Sequence, residues 1–462
     1  MSETVTTSPA IPKRRVAAWA LWDAGSAGIN AITTTFVFSR YLTSSSFQDS
    51  HVVATQGATA ATAQVTTQFG TAGIVAGVLV ALIAPALGQR SDATGRRKLW
   101  LGINTAVVVA VLVSLFFVEA KPSFLLYGLI MFSIGTVFYE IASVNYNAML
   151  AQVSTPKNIG RVSGIGWASG YIAGIVLLLI VYVGLVADGS NPHVAGLLHV
   201  STDNGFNIRL VELVAAVWTL IFSIPVLISV PELPRAVGQE RVSIPRSYVL
   251  LGKHIARLWR EDRNTLKFLI ASAVFRDGLT GVFTYGAVIA AGTFGFSASG
   301  VLVFGIAANV VAGVSTLLVG RLDDWLGPRT VMVGALIGLV VAGLAVFFLH
   351  DHGQIVFWIG GLFLCLFVGP AQSASRSFLT RVTHTDRQGE AFGLYATSGR
   401  AATFLAPLMF TVFIAIFGAQ YWGMLGIVVV ILVGLVLLLF VKASKEVRFT
   451  EPAPVVLAGH GE

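Results

Sequence analysis

The motif GQRSDATGRRK at Gly88–Lys98 closes one long apolar run and returns in looser form, GRLDDWLGPRT at Gly320–Thr330, at the close of another. Asp92 to Asp324, Gly95 to Gly327 and Arg97 to Arg329 each span 232 positions. A second pair, NAMLAQVSTPKNIGRVSG at Asn147–Gly164 and RSFLTRVTHTDRQGEAFG at Arg376–Gly393, is offset by 229 positions. Two repeat pairs offset by half the chain predict two homologous halves. The apolar runs that carry them predict that both halves lie in a bilayer.

Composition agrees: 55% of the 462 residues are hydrophobic and 11% charged, and mean hydropathy is +0.80. A soluble domain carries about 25% charged residues. Runs of about 20 apolar residues are long enough to cross the hydrocarbon core as helices. Twelve such spans are predicted, at 16–42, 67–88, 99–118, 123–151, 162–187, 207–230, 265–291, 298–319, 329–349, 354–381, 390–417 and 420–441. The runs are continuously apolar and do not alternate, which selects helices over a β-barrel. The fold class is therefore an all-α membrane protein of twelve transmembrane helices in two six-helix pseudo-repeats. The expected organisation is a cytoplasmic tail (1–15), a first half (16–230), a cytoplasmic linker (231–264), a second half (265–441) and a cytoplasmic tail (442–462).

The net charge of +8 does not imply nucleic acid, because topology explains it. Of 30 Lys and Arg, 24 fall on one side of the predicted spans and only Arg40, Lys121 and Arg209 on the other. The positive-inside rule then makes both termini cytoplasmic. The first span is too long for a signal-peptide core and has no cleavage site at its end, so it is expected to be retained. Cys365, the one cysteine, lies within an apolar run, which excludes an intrachain disulfide and a thiolate metal cluster. No nucleotide loop or catalytic triad is present, so neither an enzyme, a cofactor nor a bound metal is expected. In the linker, SYVLLGKHIARLWREDR alternates Leu251, Ile255, Leu258 and Trp259 with Lys253, His254, Arg257 and Arg260. That pattern predicts a helix lying on inner-leaflet lipid.

The loop pattern G-x-x-x-D-x-x-G-R-R-K resembles the signature cytoplasmic loop of the major facilitator superfamily. There the resemblance implies a latch that stabilises the outward-facing state. Asp92, Arg96, Arg97, Asp324 and Arg329 are the latch candidates from the loop repeat. The other repeat offers partners of opposite sign: Glu390 for Arg96 or Arg97, and Arg161 for Asp323 or Asp324. Three further stretches, AWALWDAGSAGINA at Ala18–Ala31, NYNAMLAQVSTPKNIGRVSGIGWASGYIAG at Asn145–Gly174 and FRDG at Phe275–Gly278, resemble the vacuole-effluxer-like, autophagy-related branch. Trp22, Ser26, Ala27, Lys157 and Arg276 depart from that branch's pattern. The resemblance implies export of amino acids.

An ionisable group at mid-bilayer costs about 2.5–3.5 kcal/mol on insertion scales, so the charges within spans are expected to face the interior. They are Asp23, Glu140 and Asp277 against Arg276, Arg376 and Arg400. Asp23 reads either as a site for a substrate ammonium or a proton, or as a structural carboxylate paired with arginine. Arg400 offers a bidentate fork for a substrate carboxylate, or a counter-ion. Arg276, Asp277, Asn30 and Asn145 complete the binding or coupling candidates. Glu140 and Arg376, nearer the cytoplasmic ends, are gate or latch candidates.

The expected function is a secondary active transporter in the plasma membrane, exporting amino acids or similar small polar solutes. Two halves rocking about a midplane site supply alternating access. The solute, membrane lipid and a candidate coupling proton are its partners. A proton-coupled drug or metabolite exporter, and a non-transporting scaffold or receptor, are the alternatives.

Overall fold

The structure, a computed structural model, describes residues 12–94, 96–154, 159–187, 193–232, 244–382 and 388–442. Its first group of helices comprises α1 (Lys13–Ala27), α2 (Ser50–Thr94), α3 (Arg97–Leu115), α4 (Leu125–Ala148), α5 (Ile159–Val181) and α6 (Phe206–Ser229). Next comes the amphipathic α7 (Ile244–Glu261). A second group follows: α8 (Arg263–Gly292), α9 (Ala298–Leu326), α10 (Pro328–Phe348), α11 (Gln354–Val382), α12 (Gln388–Ala401), α13 (Leu405–Phe417) and α14 (Trp422–Leu439). A two-stranded ribbon pairing Val194–Ala195 with Val200–Ser201 is the one sheet among the described residues.

Local chemistry accounts for several boundaries. Asp262 caps α8 by accepting the Thr265 backbone N–H at 3.0 Å, while the Thr265 hydroxyl donates back at 2.6 Å. In the second copy of the loop motif, Gly327 takes φ +82° and Pro328 opens α10, a residue whose missing N–H costs nothing at that position. Gly418 closes α13 in the left-handed conformation.

Among the described residues, ten helices are long and apolar enough to cross a membrane. The two other segments predicted as spans both carry charge. The first is α1, which continues through a π-helical segment at Gly28–Phe36 and holds Asp23. The second is α8, which holds Lys267, Arg276 and Asp277.

Two expected boundaries differ. Helix α2 begins at Ser50, well before the predicted start at 67, with a break at Gly57, where φ is +86°. Its first turns combine Ala, the strongest helix former, with Thr and Gln, which hold hydropathy down. The predicted span 390–417 is matched by one membrane-length run at Leu394–Phe417, but within it the helix is interrupted at Ala402–Phe404. Pro407 has no N–H for the Thr403 carbonyl four residues back, so the α-helical ladder cannot run through.

Within the first group α1 packs on α5 and α6, and α3 on α4 and α6; within the second α8 packs on α14, and α11 on both α9 and α10. The groups meet where α12 and α13 cross α2 and where α9 crosses α5. Gly70, Gly73 and Gly77 form the α2 side of that crossing: a Cβ at Gly77 would come within 2.8 Å of Phe404 Cα. Close backbone approach through small residues is how apolar helices gain packing energy in lipid. Large side chains such as Leu82, Ile228, Phe348 and Ile359 remain exposed on the outside, as a lipid-facing surface requires.

Candidate functional site

Trp19, Trp22, Asp23 and Ser26 follow one another at three- and four-residue spacing and so share one face of α1. That face meets α4 and α5. Tyr146 of α4 is sandwiched between Trp19, at 4.4 Å and 7°, and Trp22, at 4.5 Å and 28°. Both indoles are pinned: Trp19 Nε1 donates to the Tyr146 carbonyl at 3.1 Å, and Trp22 Nε1 to Thr105 Oγ1 at 3.1 Å. Asn30 donates to the Tyr139 hydroxyl at 2.6 Å. The GIGWASG stretch of α5 provides clearance: a Cβ at Gly166 would lie 2.8 Å from the Tyr146 hydroxyl, and one at Gly170 the same distance from Asp23 Oδ2. Asp23 is thus a half-buried carboxyl on an aromatic wall, and Arg376 is the charged group that acts on it.

The facing wall comes from the second group and is cationic. Arg276 on α8 lies 4.0 Å from the Tyr395 ring centroid and donates from Nη1 to the Tyr395 carbonyl at 3.0 Å. Gly399 makes this possible, since a Cβ there would meet the guanidinium at 2.8 Å. Arg376 on α11 sits 4.5 Å from the ring centroid of Trp167 on α5, bonds to Tyr395 and lies close enough to Arg276 to repel it. Tyr395 in turn bonds Ser375 through its hydroxyl. An aromatic face attracts a desolvated guanidinium by about 2 kcal/mol, so rings hold both cations where no acid does.

The six charges expected inside the spans therefore divide unevenly. Arg400 of α12 forms an ion pair with Glu140 of α4 and donates to Ser143 Oγ at 2.9 Å, tying the two groups of helices together. Asp277 is buried and accepts the backbone N–H of Ala406 at 2.5 Å, capping α13 from a neighbouring helix just beyond the break at Ala402–Phe404. The Leu405 N–H bonds it as well. That leaves Asp23 against Arg276 and Arg376, with no ion pair to either arginine among the described residues. Among the described residues the pocket thus sets two guanidinium groups against one carboxyl group.

The other candidates lie apart. Asn145 is 1% exposed, its amide donating to the Ile141 carbonyl of its own helix at 3.0 Å. Arg97 donates to the Ala148 carbonyl at 2.8 Å, and Arg329 to the carbonyls of Val441 and Leu439 at 3.1 and 3.2 Å. Both arginines thus sit at the C-terminal end of a helix, where a cation meets the negative end of the macrodipole. Arg96 is exposed at the start of α3. The side chains of Asp92, Arg161, Asp323, Asp324 and Glu390 lie outside the described residues.

Two contributors escape sequence reasoning. Tyr395 and Trp167 seat the arginines, and nothing in an apolar helix distinguishes such rings from packing aromatics. Outside the pocket, Glu212 lies inside the run 207–230, is 0% exposed and accepts the Thr33 hydroxyl at 2.9 Å. The rule that singles out Asp23 applies to it equally.

Comparison with known proteins follows the same lines. The MFS-type transporter YxiO of Bacillus subtilis (strain 168) is 25% identical over 434 residues, covering 93% of this chain and 95% of that one. Autophagy-related protein 22 of Cryptococcus neoformans var. neoformans serotype D (strain B-3501A) is 25% identical over 296 residues, 59% of this chain and 51% of that protein. The chain thus spans about half the length of its fungal relative. Among solved structures, a D-xylose-proton symporter superposes with a TM-score of 0.67 at 17% identity, over 94% of this chain and 98% of that one. The nucleoside transporter NupG does so with 0.60 at 12%, over 94% and 99%. The fold is accordingly that of the major facilitator transporters, in an integral membrane protein that crosses the bilayer many times. With the family pattern "Vacuole effluxer Atg22 like" matching residues 44–450, this chain belongs to the vacuole effluxer family.

Proposed function

We propose that the chain exports amino acids or similar small zwitterionic solutes by alternating access. In this reading residues 16–230 and 265–441 form two six-span halves that rock about the pocket between Asp23 and Arg376. The helices holding Asp23 and Asp277 complete a set of twelve spans. Both termini face the cytoplasm in this reading, in keeping with the distribution of lysine and arginine, and the membrane is taken to be the plasma membrane.

One observation carries the reading: an acid on an aromatic wall faces two ring-seated arginines that have no acid partner among the described residues. A solute ammonium is matched by Asp23 and the Trp–Tyr stack, and its carboxylate by Arg276 and Arg376. Arg400, already paired with Glu140, is the gate in this scheme, as are Arg97 and Arg329 with the Asp92, Arg96, Arg161, Asp324 and Glu390 latch candidates. Asn30, beside Tyr139, joins the solute site. Exchange of labelled L-amino acids in proteoliposomes tests the assignment. Asp23→Asn and Arg376→Lys are expected to abolish exchange in folded protein, while a scaffold without transport would show no exchange in wild type either. Full exchange by both variants would sink it.

A second reading, export of apolar drugs or metabolites, draws support from a separate apolar cavity lined by Phe36, Phe283, Phe304, Phe357, Cys365 and Met424. It predicts that a lipophilic solute is moved equally well by Asp23→Asn.

A further inference from the structure

Glu212 has no role in the pocket described above. It lies on α6 against the π-helical segment Gly28–Phe36, buried at 0% exposure. Its Oε2 accepts the Thr33 hydroxyl at 2.9 Å, and its Oε1, equally buried, has no partner. Charged groups do occur on the elements packed around it: Lys13, Arg14, Arg15 and Asp23 on α1, Arg97 and Lys98 on α3, Arg40 on the short helix Phe38–Leu42 after the π segment, and Asp203 on the single turn Asp203–Gly205 before α6. None of them acts on Glu212. Arg209, one turn away on its own helix, is held elsewhere, donating to the Phe116 carbonyl at 2.6 Å and lying over the Phe116 ring. A carboxylate in such a place would be a buried charge without a counter-ion, which proteins avoid by neutralising the group.

The neighbouring π segment makes this neutrality conditional. A single stretch of π-helix inside an α-helix is rare and marks functional sites. Rewinding Gly28–Phe36 to α pitch turns the residues beyond it by about 100° relative to those before it. Thr33 would leave Glu212, while Asn30 in the same segment would leave Tyr139. Asn30 and Asp23 border the solute pocket, so solute and Glu212 act on one switchable piece of α1.

We propose that Glu212 is a proton-binding site, protonated while Gly28–Phe36 is π-helical and discharged when that segment rewinds, which links proton movement to solute movement. On discharge the O–H bond at Oε1 breaks, its electron pair stays on the carboxylate, and the proton passes to water in the open cavity. Recharging reverses the step. The link to solute rests on the transport reading above; the proton site does not.

Infrared spectroscopy of the full chain in lipid tests the site without any solute. Wild type is expected to show a carboxylic-acid carbonyl band that is missing from Glu212→Gln, shifts in Thr33→Val and bleaches at high pH. Identical bands in wild type and Glu212→Gln, or a band indifferent to Thr33→Val and to pH, would overturn the proposal. The link is tested with a mixture of labelled L-amino acids: Glu212→Gln should retain exchange but lose accumulation driven by a proton gradient, and accumulation kept in that variant would refute it. If wild type exchanges no amino acid, the solute reading falls while the infrared result still decides the proton site.

Discussion

Asp277 offers the sharpest test of how the second group of helices is held. Its carboxyl accepts the N–H groups of Ala406 and Leu405, the first residues of α13; the Leu405 N–H also reaches the Ala402 carbonyl at 3.0 Å, so Ala406 is the donor that relies on Asp277. The substitution Asp277→Ala leaves the buried Ala406 N–H unsatisfied, at about 1–3 kcal/mol, because the Leu405 N–H keeps the Ala402 carbonyl at 3.0 Å. Solvent cannot replace the acceptor, because Asp277 is only 5% exposed and Gly281, one turn along the same helix, packs on Ala406. Asp277→Asn keeps an acceptor oxygen of the same reach and should recover most of the loss. The measurement is thermal unfolding of detergent-purified protein, followed by the fraction that remains monodisperse after heating. The expected order of stability is wild type, then Asn, then Ala, with Ala clearly separated. Should Asp277→Ala melt together with wild type, the cap does not hold the break and the argument is wrong.

Other outcomes follow from the same geometry. Arg400→Ala strands Glu140 and should destabilise by about 3–5 kcal/mol, whereas Glu140→Gln combined with Arg400→Gln should recover much of this in the same melting assay. Gly77→Ala thrusts a methyl against the Phe404 backbone and should cost about 1–3 kcal/mol. The control Gly313→Ala, whose methyl meets no atom within 4 Å, should instead stabilise its helix by up to about 1 kcal/mol. Tyr395→Phe keeps the ring under Arg276 but removes the hydroxyl that bonds Arg376 and Ser375, so it should weaken solute binding less than Tyr395→Leu, which also removes a cation–π seat worth about 0.5–2 kcal/mol and should raise the dissociation constant further.

Much of the helical layout is legible in the chain, because lipid leaves the backbone so little choice. The loop repeat marks where α2 gives way to α3 and α9 to α10, and Gly327–Pro328 marks the turn itself. What stays hidden is of two kinds. The break before Leu405 depends on Pro407, yet Pro225 and Pro370 sit inside α6 and α11 without dividing them, so proline alone does not announce a break. Only the carboxyl of Asp277, 129 positions away, makes the gap before α13 affordable. Charge pairing is the second kind. Arg400 and Asp23 are equally plausible ligands on paper, and it takes the fold to give Arg400 a partner 260 positions back in Glu140 while leaving Asp23 facing the pocket.

The ring beneath Arg376 has a practical consequence. Trp167 lies 4.5 Å from a full positive charge, and the emission of an indole depends on the electric field across it. A solute carboxylate that drew the guanidinium off the ring would change both field and colour. If the proposed solute binds there, purified protein should show a change in emission on occupancy that is absent from Trp167→Phe, the other eight tryptophans being common to both.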